Sequence, residues 1–140
     1  MSQKFNLADH SIHAWIIKNK IKNERDELLD FRDHAFLFDI YSDFSPKLVC
    51  YKAAQIGFST LAIIKKFFVA NKKRMDLIYT LPTQGDVYDF VGGKVNRIID
   101  TNPELKSLMQ GRDTMEQKRV GANVIYYRGT FTERAALMVT

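Results

Sequence analysis

Short apolar runs of strand length alternate with helical stretches through the latter two-thirds of this chain, and that alternation limits its fold more than any other feature. Residues 47–52, from Lys47 through Leu48, Val49, Cys50 and Tyr51 to Lys52, suit a buried strand. Residues 59–70 follow as a helix with Leu61, Ile64 and Phe68 on one face. The unit then repeats. Residues 76–81 read as a second strand, Pro82 stops it, and Thr83 opens a helix carrying Val87, Val91, Val95, Ile98 and Ile99 at helical spacing. Asp86, three residues after Thr83, resembles the reciprocal partner of a capping box. Gly92 and Gly93 interrupt this helix at about 1 kcal/mol each relative to alanine, which predicts a kink or a close backbone contact. Asn102 and Pro103 mark a break, residues 104–109 suit a short helix, and Gly121 leads into a third strand at residues 122–127. Strand and helix in alternation predict an α/β fold, a parallel sheet with helices on both faces. Ligands of such sheets bind at the carboxyl ends of strands, which directs attention to the turns after Lys52, Leu81 and Tyr127.

Ahead of that unit, residues 1–30 read as a helical N-terminal extension and residues 31–140 as the α/β domain. Asp9 is placed to cap a helix whose apolar positions are Ile12, Trp15 and Ile16, with Lys18, Lys20 and Lys22 near its end. A second helical stretch, residues 28–41, carries Phe31, Phe36, Phe38 and Tyr41, and Pro46 closes the segment that follows. Charge divides the chain at the same place. Residues 1–46 hold six Lys or Arg and eight Asp or Glu, whereas residues 47–140 hold fifteen and eight. The positive surplus after Pro46 attracts polyanions without specifying which. One cysteine excludes an intrachain disulfide framework. No apolar run reaches the roughly 18 residues a bilayer crossing needs, and no basic segment feeds a continuous apolar stretch at the N-terminus, so a cytoplasmic protein, neither secreted nor in a membrane, is expected.

The turn after the first expected strand runs Lys52, Ala53, Ala54, Gln55, Ile56, Gly57, Phe58, Ser59, Thr60. A phosphate loop of the form GxxxxGK[ST] wraps backbone amides around phosphates, aims a helix N-terminus at them, and adds a lysine charge and a hydroxyl for magnesium. Gly57 holds the second glycine position and Ser59 the hydroxyl position, while Phe58 replaces the usual lysine. Lys52 stands where the first glycine would be, so the charge is present on the opposite rim. Its long stem is flexible enough to carry an ammonium to the β- and γ-phosphates. The same nine residues also describe an ordinary strand-to-helix turn, since serine and threonine cap many helices that bind nothing.

From about Phe31 onward, the chain resembles the N-terminal ATPase region of the large terminase subunit of tailed, lambda-like bacteriophages. Members of that family carry a deviant phosphate loop with its lysine at the beginning, and Lys52, Ala53, Ala54, Gln55, Ile56, Gly57, Phe58 and Ser59 match that form. Residues 77–86, a strand ending in a Pro82-Thr83 turn, are similar to the family's next motif, and Phe31, Arg32, Asp33 and His34 to its segment near the adenine. The resemblance implies a P-loop NTPase that binds ATP and Mg2+ to drive viral DNA packaging inside a bacterial host. By position, Lys52 would contact phosphates, Gly57 would admit them to the backbone, Ser59 would ligate magnesium, and Thr60 is an adjacent candidate. Implied partners are double-stranded DNA, a small terminase subunit, the capsid portal and further copies of the same chain. Family members next carry an apolar strand ending in acidic residues, the Walker B strand, and then a nuclease domain. No apolar run followed by Asp-Glu occurs in the 140 residues, which predicts nucleotide binding by a partial ATPase domain without the complete hydrolytic apparatus. Two other readings remain open: a helicase-like motor fragment, and a non-enzymatic nucleic-acid-binding or assembly module.

The remaining reactive side chains read as ordinary. His10 and His13 lack a third metal ligand at suitable spacing, Cys50 reads as an inert thiol, and Asp86 and Asp89 suit the first turn of a helix. Lys65, Lys66, Lys72, Lys73 and Arg74 read as an exposed helix face and end, with DNA phosphates as the alternative. Arg112, Lys118 and Arg119 form a similar group, and Arg128 and Arg134 follow the third strand as candidate phosphate sensors.

Overall fold

In a computed structural model, residues 4–131 are described. A short 3-10 turn, Leu7–Asp9, precedes helix α1 (Ile12–Lys18), which is followed by α2 (Phe36–Ser42) and the fifteen-residue α3 (Phe58–Lys72). Strand β1 (Leu77–Leu81) then leads to α4 (Gln84–Phe90), a π-helical segment Val91–Val95, α5 (Asn96–Thr101) and α6 (Pro103–Leu108). The chain continues through β2 (Met109–Asp113), β3 (Gln117–Val120) and β4 (Asn123–Gly129). The result is a mixed α/β structure with one small sheet flanked by helices.

Sheet order is β1-β4-β3-β2, and only β1 with β4 is parallel. The wholly parallel sheet expected from the alternation is therefore corrected to a mixed one. Its cause is the tight turn at Gly121, which returns β4 antiparallel against β3, while the parallel pair β1 and β4 is joined by a long connection that runs from α4 through α6 and then β2 and β3.

Local signals account for most boundaries. Thr83 caps α4 with its hydroxyl on the Asp86 amide at 3.0 Å, and the Asp86 carboxylate returns to the Thr83 amide at 3.0 Å. Gly92 and Gly93 fall in the π segment, so the expected irregularity is a widened turn that aims Asn96 toward the sheet. Beneath Gly92 lies Met115, whose methyl would come within 3.0 Å of any β-carbon there. At the N-terminus the cap of α1 is Ser11, which accepts from the Ala14 amide, while Asp9 instead ion-pairs with Lys72 at 2.7 Å. The helix expected over residues 28–41 is confined to α2: Leu28 bridges Lys22 instead, and the Asp30 side chain accepts from the Arg32 amide in an Asx-type turn in place of a helical ladder.

The core runs between α3 and the sheet. Leu61, Ile63, Ile64, Phe67 and Phe68 of α3 are buried with Val87, Val91, Val95, Ile98, Ile125 and Tyr127. Ala8, Ile12, Trp15, Ile16 and Ile21 belong to the same apolar cluster, with Trp15 edge-on to Phe68 at 5.6 Å. Residues 47–52 depart furthest from expectation. They belong to no helix or strand and join no ladder, Leu48 and Tyr51 are exposed, and Val49 is 94% exposed. An apolar run becomes a strand only when a neighbour accepts its backbone bonds, and none among the described residues does so. No helix among those residues is long and apolar enough to cross a membrane.

Candidate nucleotide-binding site

Residues 53–57 form a solvent-facing loop that turns the chain into α3. Two left-handed residues shape it. Gln55 has φ 57°, and Gly57 has φ 80° as the residue that caps α3. At Gly57 the left-handed conformation favours the residue without a β-carbon, which is the reason a glycine belongs at this position. The first amides of α3 have no side-chain cap at the positive end of a fifteen-residue helix.

Lys52 lies at the entry to this loop. Its ammonium folds back, donating to the Ala53 carbonyl at 3.3 Å and standing 5.8 Å from the centre of the Phe58 ring. Ala53, Ala54, Gln55 and Gly57 are exposed, whereas Ile56, Phe58 and Ser59 are half-buried. Thr60 turns inward and is buried, and its hydroxyl donates to Glu24 Oε2 at 2.8 Å. The nine residues singled out in the sequence thus form one continuous loop and helix start, although the segment ahead of them is not a strand.

Glu24 is the site neighbour that the sequence did not disclose. It comes from a turn near the N-terminus, 36 positions before Thr60, and nothing local links the two. Its scaffold is firm. Asn23 Oδ1 accepts from the Arg25 and Glu27 amides at 2.9 and 3.1 Å, and the Asn23 carbonyl accepts from the Thr101 hydroxyl at 3.0 Å.

The end of β4 and the start of α4 are tied to Glu116 by the protein's own side chains. Arg128 is buried, donating to the Glu116 carbonyl at 3.0 Å with its guanidinium 3.7 Å from the Glu116 carboxylate. Gln84 and Tyr88 also donate to Glu116, at 2.6 and 3.3 Å. A phosphate-sensing role for Arg128 is thereby corrected to a structural one; Arg134 and the side chain of Arg112 lie outside the described residues.

Several lysines read as a solvated face are likewise engaged. Lys65 donates to the Ile40 carbonyl at 2.9 Å and to the Asp43 carbonyl, and burial pushes its ammonium below the usual lysine range. Lys66 is pushed the same way by burial and by Lys65, with its ammonium 5.1 Å from the Tyr79 ring centre. Lys73 lies 3.6 Å from the centre of the Phe44 ring. Lys118 is 1% exposed, bonded to Asn96 Oδ1 at 2.7 Å and to Asp113.

Among the described residues no group of three or more His, Cys, Asp or Glu is placed to hold a metal. Magnesium at a nucleotide keeps most of its waters and takes one or two protein oxygens besides the phosphates. The Ser59 hydroxyl at the loop is a donor of the kind that modest demand allows. Neither a family model, nor a curated protein, nor a solved structure matches the chain.

Proposed function

We propose that this chain is the nucleotide-binding part of a phage terminase large subunit, a P-loop ATPase of the DNA-packaging motor. One observation carries the reading: the loop that begins with Lys52 ends on Gly57 at the uncapped start of α3. Phosphates are drawn to such an end because its first amides lack side-chain caps and the helix dipole is positive there. Lys52 supplies a mobile positive charge from the rim, and Gly57 keeps the backbone open to close approach. Ser59 would hold, through its hydroxyl, the metal that accompanies ATP, and that metal would supply charge neutralisation at the phosphates. Double-stranded DNA, a small terminase subunit, the capsid portal and further copies of this chain are the partners this reading entails, within a bacterial host cell.

A second reading, an assembly module that uses the same fold without turnover, is favoured by the bare apolar side chains of Leu48, Val49 and Tyr51. Titration of a fluorescent ATP analogue with magnesium separates the two. Saturable binding, weakened at least tenfold by Lys52→Ala, supports the ATPase reading. Equal binding by both proteins, or binding by neither, refutes it.

A further inference from the structure

We propose that the cavity between α5 and the β2–β3 hairpin is a binding site for an uncharged, flat heterocycle that presents a hydrogen-bond donor beside an acceptor, as the edge of a nucleobase does. The cavity has a volume of about 560 Å³ and shares no residue with the loop from Lys52 to Thr60, so the inference stands apart from the phosphate-loop reading. Lys118 and Asp113 supply its polar side. The Lys118 side chain is buried, and its ammonium gives one N–H to Asn96 Oδ1 at 2.7 Å and another to Asp113 Oδ1. An ammonium carries three N–H groups, and among the described residues the third has no acceptor. Asp113 is partly open to solvent, and its Oδ2 accepts from none of the described residues. Because Oδ1 of the same carboxylate holds the ammonium, the spare donor and the spare acceptor are neighbours.

Charge balance selects the class of ligand. Asp100 and Lys106, also on the cavity wall, answer each other at 3.9 Å, as Lys118 and Asp113 do, so the charges of the described side chains cancel. A phosphate or an ammonium finds no uncompensated partner there, whereas a neutral amide or amidine edge satisfies the spare donor and acceptor together. The rest of the wall is apolar, from Ile99, Met109 and Met115, and thioether sulfurs pack favourably against aromatic rings. Met115 is steadied by Asn96, whose amide stands 3.7 Å from its sulfur. Gly111, left-handed at φ 88°, also lines the cavity, within the register shift that parts β2 from regular pairing between Met109 and Asp113. A flat ring against the methionines, with its polar edge on Lys118 and Asp113, uses each of these features.

The test follows the methionine methyl resonances of the full chain, since Met109 and Met115 line the cavity and Met75 does not. Theophylline and caffeine are the first probes: they share one ring system, and a methyl group in caffeine masks the N–H that theophylline offers beside a carbonyl. Theophylline is expected to shift the Met109 and Met115 signals saturably, with Met75 unmoved, and to bind roughly tenfold tighter than caffeine, the effect of one hydrogen bond to a charged group. Asp113→Asn presents an amide N–H where the spare acceptor stood, so it should weaken theophylline and leave caffeine unchanged. Folding of the variant is followed by circular dichroism, and the comparison of the two probes on wild-type protein decides the matter even if the variant unfolds. Cytidine and oligodeoxycytidylate then separate the two sources of such a ring. Shifts from cytidine alone support a free nucleoside, and tighter binding of the oligonucleotide with the same shifts supports an unstacked base of a single strand. Equal affinity for theophylline and caffeine, or no shift at Met109 and Met115 with any of the four, overturns the inference.

Discussion

The side-chain amide of Asn102 grips the backbone of Lys22 at both ends, accepting from its N–H at 2.6 Å and donating to its carbonyl at 2.8 Å. The amide also donates to the Ile98 carbonyl at 2.8 Å, and the side chain is 2% exposed. It therefore ties the N-terminal segment to the break between α5 and α6 by mimicking a piece of sheet. Asn102→Ala leaves the Lys22 groups without protein partners, at about 1–3 kcal/mol for each polar group stranded away from water. A urea-unfolding midpoint equal to that of the wild type would show that the clamp contributes nothing.

Gly129 closes β4 against the turn that starts α4. A methyl carbon at this position would lie 2.7 Å from the Gln84 nitrogen and 2.7 Å from the Thr83 carbonyl carbon, and both are backbone atoms that cannot rotate aside. Gly129→Ala is expected to cost about 1–3 kcal/mol, the range of an overpacked interior, and to lower the thermal midpoint. An unaltered midpoint contradicts that contact.

His13 gives the fold a pH dependence of predictable sign. Its ring stacks on Phe38 at 3.8 Å, Nε2 donates to the Phe38 carbonyl at 2.9 Å, and Nδ1 is buried without a partner. Burial holds its pKa below 6.5, opposed by the bond to Phe38 and the charge of Asp39. The unfolded chain therefore binds the proton more readily. His13 contributes its full stability above about pH 6.5, and the contribution is lost as pH falls through the lower folded-state value. Unfolding midpoints measured from neutral to mildly acidic pH should fall more steeply for wild type than for His13→Phe. Parallel curves would exclude His13 as the source.

Local chemistry was readable in the sequence wherever neighbours in the chain settled the structure. Thr83 and Asp86 are three apart and cap α4 as a pair, Gly57 marks the start of α3, and paired glycines mark the π segment. Long-range choices were not readable. Met109–Asp113 and Gln117–Val120 are polar strands without clear alternation, and the first carries a register shift, so neither periodicity nor composition points to them. Lys118 looks like a surface residue by type, yet Asn96 and Asp113 make its burial tolerable. Glu24 reaches the loop only because the tertiary fold brings an N-terminal turn to Thr60. Residues 47–52 are the converse case: the apolar pattern was plain, but a pattern cannot provide the neighbouring strand that a ladder requires.

Those same residues govern how the protein behaves in solution. Leu48, Val49 and Tyr51 present apolar surface on backbone outside any helix or ladder, and such backbone can offer its N–H and carbonyl groups to a strand of another molecule. Pairing would satisfy the backbone and cover the side chains together, so the two driving forces act in the same direction. Wild-type protein is expected to show a sedimentation coefficient that rises with concentration. Lysine in place of Val49 and Tyr51 should hold the chain monomeric, because it replaces the apolar surface with charge and sets like charges side by side in an in-register parallel pair or an antiparallel pair centred on residue 50. Neither side chain takes part in the buried core, so the double variant should keep the wild-type thermal midpoint. Monomeric sedimentation of the wild type across the same range would refute self-pairing through this segment.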